Sequence, residues 1–148
     1  NLVMCYTHIA HDCQIGNQVI LANNTTLAGH VHIDDWAIMG GFSMVHQFVH
    51  IGAHAFSAIN GIVLKDIPPY VLAEGRPSVP RAINTEGLKR RGFTKEAIVA
   101  IRRAFKIIYR QKLSLEEATS SIAEMVTEFP DLACFLEFIN ASKRGIIR

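Results

Sequence analysis

The chain has 148 residues, the length of one ordinary domain, and at that size a chain buries roughly two-thirds of its unfolded surface and folds without staples. With 49% hydrophobic and 19% charged residues it is too apolar for a disordered tail. His, Asn, Gly and Thr interrupt its uncharged stretches, so neither a membrane span nor a signal peptide is expected. The net charge of +2 conceals a split, because all seven His lie within residues 1–62 and all fifteen Lys and Arg lie from Lys65 onward.

The first element in chain order is a repeat. Val3, Ile9, Ile15, Leu21, Leu27, Ile33, Met39, Val45 and Ile51 recur every sixth residue, and the position four residues on is small or β-branched throughout, as at Thr7, Val19, Ser43 and Ala55. A period of six held for some 50 residues is the signature of a parallel β-helix in which three hexads close one coil of about 18 residues. Alternating strands of period two would not sustain it. The aliphatic register is expected to slip at Ser57 and resume at Val63. The chain opens inside the pattern without an initiator Met, which is the expectation for a carboxy-terminal portion whose upstream coils are missing.

The proline pair in Asp66-Ile-Pro-Pro-Tyr70 ends the repeat, since proline fixes φ and donates no ladder hydrogen bond. The domain boundaries predicted are a β-helix over 1–67, a connecting loop over 68–83 and a helical domain over 84–148. Within the last, a short basic helix is expected over 84–92, and a second over 95–110 capped by Thr94. A capping box at Ser114 and Glu117 opens a third, and a fourth begins at Pro130 and stops near Gly145. Three cysteines without CxxC spacing, Cys5, Cys13 and Cys134, predict reduced thiols in an intracellular protein.

Residues 18 apart stack vertically in such a coil, roughly one 4.8 Å strand spacing per turn. His11 and Asp12, Gly29 and His30, and His46 and Gln47 therefore gather on one edge, with His32 and His50 as a second stack and His8 and His54 apart. His11, Asp12 and Gly29 together hold what acyl transfer needs: a base, a partner that fixes its tautomer and a backbone N–H for an oxyanion. Contact between the neighbours His11 and Asp12 requires a bend at the corner. Three His on one edge also suit zinc, as in γ-class carbonic anhydrases, but the basic helices would have no task there, and no metal ligand is assigned.

His8-Ile-Ala-His11-Asp12-Cys13, Leu21-Ala-Asn-Asn24, Leu27-Ala-Gly-His30, His46-Gln47-Phe48, Asp66-Ile-Pro-Pro-Tyr70, the run from Asn84 to Phe93 and the Arg144 to Arg148 end resemble the bacterial UDP-N-acetylglucosamine 3-O-acyltransferases. The run from Asn84 to Phe93 is the most specific of these. The resemblance covers the whole chain and implies a left-handed parallel β-helix followed by a helical domain. It also implies a cytoplasmic homotrimer with active sites between subunits. The implied reaction is the first step of lipid A synthesis, in which a (R)-3-hydroxyacyl group passes from acyl carrier protein to the 3-hydroxyl of UDP-N-acetylglucosamine. No cofactor is implied beyond the carrier's phosphopantetheine thioester, and neither a nucleic acid nor a membrane span is involved.

Carried over by position, the resemblance implies His11 as general base, Asp12 as its orienting acid and Gly29 as the oxyanion donor. His8, His30, His46 and Gln47 would line the sugar and acyl-donor site, and Asn84, Glu86, Arg90 and Arg91 would approach the nucleotide, where a guanidinium suits a diphosphate. The basic face at Arg102 and Arg103 is either ordinary helix surface or a dock for the acidic carrier. Ile59 falls where the family sets acyl length, and either blocks the groove or fills the core around the slip at Ser57. Arg76-Pro77 departs from the pattern expected in its loop. The competing readings are a related hexapeptide N-acyltransferase, a CoA-dependent sugar acetyltransferase, or a solenoid scaffold without catalysis.

Overall fold

The computed structural model describes residues 1–148 and resolves the hexads into two-residue strands on three parallel faces. One face stacks Leu2–Val3, Ile20–Leu21, Ile38–Met39 and Phe56–Ser57. The second stacks His8–Ile9, Thr26–Leu27, Met44–Val45 and Ile62–Val63, and the third Gln14–Ile15, His32–Ile33 and His50–Ile51. Every parallel pair among these two-residue strands joins residues 18 apart, as in His8 to Thr26 and Thr26 to Met44. The solenoid thus makes about four coils, and two residues of each hexad point inward. Leu21, Leu27, Ile33, Met39 and Ile51 are fully buried, and so are their partners four residues on, Thr25, Val31, Ala37, Ser43 and Ala55.

The register does not slip at Ser57. Phe56–Ser57 pairs with Ile38–Met39 in step, and Ser57 occupies the inward position fully buried. A hydroxyl is tolerated there because it has company: Ser57 Oγ lies 3.3 Å from Ser43 Oγ, and Ser43 Oγ donates to the Gly40 carbonyl at 2.6 Å. Ile59 is consequently not core filling; it is 72% exposed.

The corners carry a second period. Tyr6, Asp12, Gln18, Asn24, His30, Trp36, Phe42, Phe48, His54 and Asn60 all have φ between 57° and 64°. Left-handed backbone costs an L-residue roughly 1–2 kcal/mol. None of these ten is β-branched, the class for which that region is worst. Ladder bonds across successive coils hold the corners in place, such as His30 N–H to the His11 carbonyl at 3.0 Å and Phe48 N–H to the Gly29 carbonyl at 3.1 Å. Spacing by 18 sorts these residues onto three edges: Tyr6, Asn24, Phe42 and Asn60 on one, Asp12, His30 and Phe48 on another, Gln18, Trp36 and His54 on the third.

The stretch expected as a connecting loop over 68–83 contains a hairpin. Val71–Gly75 pairs antiparallel with Ser78–Ile83, and Val71–Gly75 adds in parallel to Phe56–Ser57, extending the first face. Val71 and Ala73 are buried while Leu72 and Glu74 are less so, the alternation of a strand with one covered side. Pro80 fits because the pairing shifts beside it, Leu72 facing Ala82 and Ala73 facing Pro80.

Four helices follow: α1 (Thr85–Arg90), α2 (Lys95–Tyr109), α3 (Leu115–Ala123) and α4 (Leu132–Ala141). Thr94 Oγ1 accepts from Ala97 N–H at 3.1 Å, and Ser114 and Glu117 form the reciprocal capping box. The fourth helix begins at Leu132, two residues after Pro130, and ends at Ala141. Ile98, Ile101, Ala104, Phe105 and Ile108 of α2 pack against the hairpin, α3 and α4. The end of the chain returns to the solenoid. Asp66, 2% exposed, accepts from His50 N–H at 2.8 Å and from Ser142 Oγ at 2.6 Å, while Ile147 N–H donates to its carbonyl at 2.9 Å. No helix is long and apolar enough to cross a membrane.

Candidate active site

The edge that carries Asp12, His30 and Phe48 is where the sequence placed its catalytic column. Left-handed φ at Asp12 supplies the bend that two adjacent residues need, and His11 Nδ1 meets Asp12 Oδ2 at 2.8 Å. An ionised carboxylate only accepts, so Nδ1 carries the proton and Nε2 presents its lone pair outward. The hydrogen bond from His11, and then the nearby His30, hold the Asp12 carboxyl below the usual carboxylate range. His30 Nε2 lies 3.7 Å from the same oxygen; its ring meets His11 edge to face at 5.0 Å and stacks on Phe48 at 4.7 Å.

Gly29 sits one coil along from His11, and the lack of a side chain there is a steric requirement. A Cβ on Gly29 would lie 2.7 Å from both Cε1 and Nε2 of His11. The imidazole therefore rests over the Gly29 backbone. Ala28 N–H and His30 N–H are spent on the Val45 and His11 carbonyls, whereas the Gly29 N–H donates to no group of the chain. Imidazole and free donor thus stand side by side.

The remaining residues named from sequence divide. His46 and Gln47 follow on the same edge, where His46 Nδ1 contacts only the Gln47 carbonyl at 3.1 Å. His8, exposed on its strand, makes no side-chain contact with His11 or Asp12. Asn84 is 7% exposed and caps α1: its Oδ1 accepts from Gly87 N–H at 3.1 Å and its Nδ2 donates to the His54 carbonyl at 3.0 Å. Glu86 pairs with Lys89 at 2.9 Å on an exposed turn, and Arg90 is exposed beside it. Arg102 donates to Thr85 Oγ1 at 3.2 Å and lines a basic recess of about 380 Å³ with Arg81, Lys106 and Arg110; Arg103 is exposed and does not line it.

Arg91 is held by two residues that were not singled out for function. Its guanidinium lies over the Trp36 ring at 5.3 Å and donates from Nη1 to His54 Nδ1 at 3.2 Å. His54 does not stand apart. It stacks near Trp36 and Tyr70 and meets Phe93 edge-on at 5.0 Å. Burial, and then the Arg91 charge, push its pKa down to about 4, so its ring is neutral and free to accept. The signal was present in the spacing: Trp36 and His54 are 18 apart on the third edge.

The family model for UDP-N-acetylglucosamine O-acyltransferase, domain 2, matches residues 66–147, more than half of the chain. The chain belongs to that family. It is 56% identical over 148 residues to the acyl-[acyl-carrier-protein]–UDP-N-acetylglucosamine O-acyltransferase of Pseudomonas syringae, covering all of this chain and 57% of the relative. Against the enzyme of the same name from a Janthinobacterium the identity is 57%, with 58% of the relative covered. The chain thus spans under three-fifths of the length of these relatives. Among solved structures, the UDP-N-acetylglucosamine acyltransferase of Francisella novicida superposes with a TM-score of 0.95 at 49% identity, over 98% of this chain and 53% of that one. LpxA from Acinetobacter baumannii gives 0.96 at 40% identity, over 99% and 57%. These solved relatives share the arrangement of solenoid followed by helices that the hexads and the helical periodicity and caps of the second half predicted.

Proposed function

We propose that this family member transfers a (R)-3-hydroxyacyl group from acyl carrier protein to the 3-hydroxyl of UDP-N-acetylglucosamine, the opening reaction of lipid A synthesis, in the cytoplasm. The observation that carries the reading is the His11 imidazole, oriented by Asp12 and resting over the free N–H of Gly29. His11 Nε2 removes the proton of the sugar hydroxyl as its oxygen attacks the thioester carbonyl, and Asp12 stabilises the imidazolium that forms. The tetrahedral oxyanion is received by the Gly29 N–H. Collapse breaks the carbon–sulfur bond, and the departing phosphopantetheine thiolate takes the proton back from His11. The reading draws on no cofactor other than that carried thioester.

Two features support a site built between copies of the chain, and the family resemblance implies that these form a left-handed, trimeric solenoid. Within one chain, the His11 column and the Arg91 cluster stand on different edges, so a substrate touching both takes them from two copies. Tyr6, Phe42 and Phe48 also leave aromatic surface on two edges, at 86%, 55% and 57% exposure, of the kind that association covers. In this reading His8, His30, His46 and Gln47 line the sugar and acyl-donor site, and Glu86, Arg90 and Arg91 face the nucleotide. Asn84 acts by fixing α1 and the His54 carbonyl. Arg102 and Arg103 receive the acidic carrier, and the exposed Ile59 shortens the groove for the acyl tail.

Mass spectrometry of UDP-N-acetylglucosamine incubated with protein and 3-hydroxyacyl carrier protein tests the reading. It predicts an O-acylated product, and loss of about 10²–10⁴-fold in rate for His11→Ala with an unchanged circular dichroism spectrum. A His11→Ala protein with full rate refutes the base assignment, and absence of product with the native protein refutes the activity.

A further inference from the structure

A second cluster, on the third face of the solenoid, stands outside the acyl-transfer reading. His32 and His50 each open a strand whose next residue, Ile33 or Ile51, fills the interior, so both imidazoles project outward. They are 18 residues apart, and their rings stack at 4.4 Å with planes 7° apart. Both Nε2 atoms aim at one oxygen: His50 Nε2 lies 2.9 Å and His32 Nε2 3.3 Å from Asp34 Oδ1. No two of the three ligand atoms are more than 4.8 Å apart.

We propose that His32, Asp34 and His50 bind a divalent cation of the zinc class, which clips two successive coils together. In a tetrahedral zinc site with bonds of roughly 2.0–2.1 Å, neighbouring ligand atoms stand about 3.3 Å apart, close to the separations on Asp34. Two imidazoles and a carboxylate are a donor set that zinc accepts, with a fourth position left for water. His50 is already fixed: its ring rests on Phe138 of α4 at 4.5 Å, and its backbone N–H is held by Asp66 Oδ1. The His32 side chain is 47% exposed, so it is the ring that turns out of the parallel stack to converge on the ion and the side from which the ion enters. Burial, and then the neighbouring His50, lower the His32 pKa, favouring the neutral ring that ligates. Binding moves the proton of each imidazole to Nδ1 and frees both Nε2 lone pairs.

His11, Asp12 and His30 also lie within 4.8 Å of one another and serve as the internal control, because an ion there would consume the lone pair of the base. Titration of zinc into chelator-treated protein, followed calorimetrically, is predicted to show one saturable site per chain and a melting temperature raised by the metal. Asp34→Asn and His50→Gln should each weaken binding by more than the ~10–100-fold that loss of a mere supporting group costs, and should abolish the zinc-dependent rise in melting temperature. His11→Ala should leave both unchanged. If Asp34→Asn fails to fold, the exposed His32→Gln replaces it. No saturable binding by the native protein, undiminished binding in the His50 and Asp34 or His32 variants, or loss in His11→Ala overturns the proposal.

Discussion

At the scale of single residues, the site depends as much on a missing atom as on the groups present. Gly29 has an ordinary backbone conformation, and its reason for being glycine is the His11 ring 2.7 Å from where a Cβ would stand. His11 is largely exposed and free to move, so Gly29→Ala should displace the imidazole rather than unfold the coil. The melting temperature is expected to hold within a few degrees while kcat falls about 10²-fold, the usual cost of misplacing a catalytic group by roughly an ångström. Steady-state kinetics alongside a thermal melt check this, and an unchanged kcat would remove Gly29 from the account. The spacing of 18 was enough to bring His11, Asp12 and Gly29 together on paper. It said nothing of why the glycine must be bare, because steric exclusion by a ring one coil away leaves no trace in a local pattern. Arg91 was legible as a cation but not as a held one. Its partners Trp36 and His54 lie 37 residues or more upstream and come beside it only when the helical domain folds back on the solenoid.

At the scale of elements, what the sequence displayed and what it hid follow from side-chain chemistry. The inward aliphatics announce the coils, since a narrow prism admits little else. The left-handed corners were silent, because their hosts are Tyr, Asp, Gln, Asn, His, Trp and Phe rather than the glycine that normally marks such backbone. Ser57 looked like a break because a hydroxyl stands where aliphatics recur, and only the buried partner Ser43 makes it a member of the series. The hairpin was hidden by Pro77 and Pro80, which argue locally against a strand until Pro77 falls in the turn and a shifted pairing accommodates Pro80. Asp66 offers a test of how the two halves are joined. It satisfies the His50 N–H and binds Ser142, so Asp66→Ala leaves a buried donor unpaired and releases Ser142, while the backbone bonds to Gly145 and Ile147 remain. The expected loss is about 3 kcal/mol in chemical denaturation, the sum of two charge-assisted hydrogen bonds. A loss below about 0.5 kcal/mol, the range of an uninvolved surface position, would mean that the clasp contributes nothing.

At the scale of the whole molecule, the division between a histidine-bearing half and a cationic half acquires a geometric meaning. The solenoid displays imidazoles along its edges, and the helical domain brings Arg91 onto one of those edges and Arg102 and its neighbours onto the outer surface. On the proposed reading, proton transfer and anion recognition fall on different edges of the same chain, and a substrate that needs both sits between copies. Mixing two inactive variants addresses that claim directly. His11→Ala lacks the proposed base and Arg91→Ala lacks the held cation; each alone should turn over UDP-N-acetylglucosamine poorly. Unfolded and refolded together in equal amounts, they should recover about one quarter of the native rate, the statistical share of interfaces that receive an intact His11 from one copy and an intact Arg91 from the next. A co-refolded mixture no more active than the separate variants would contradict a site shared between subunits.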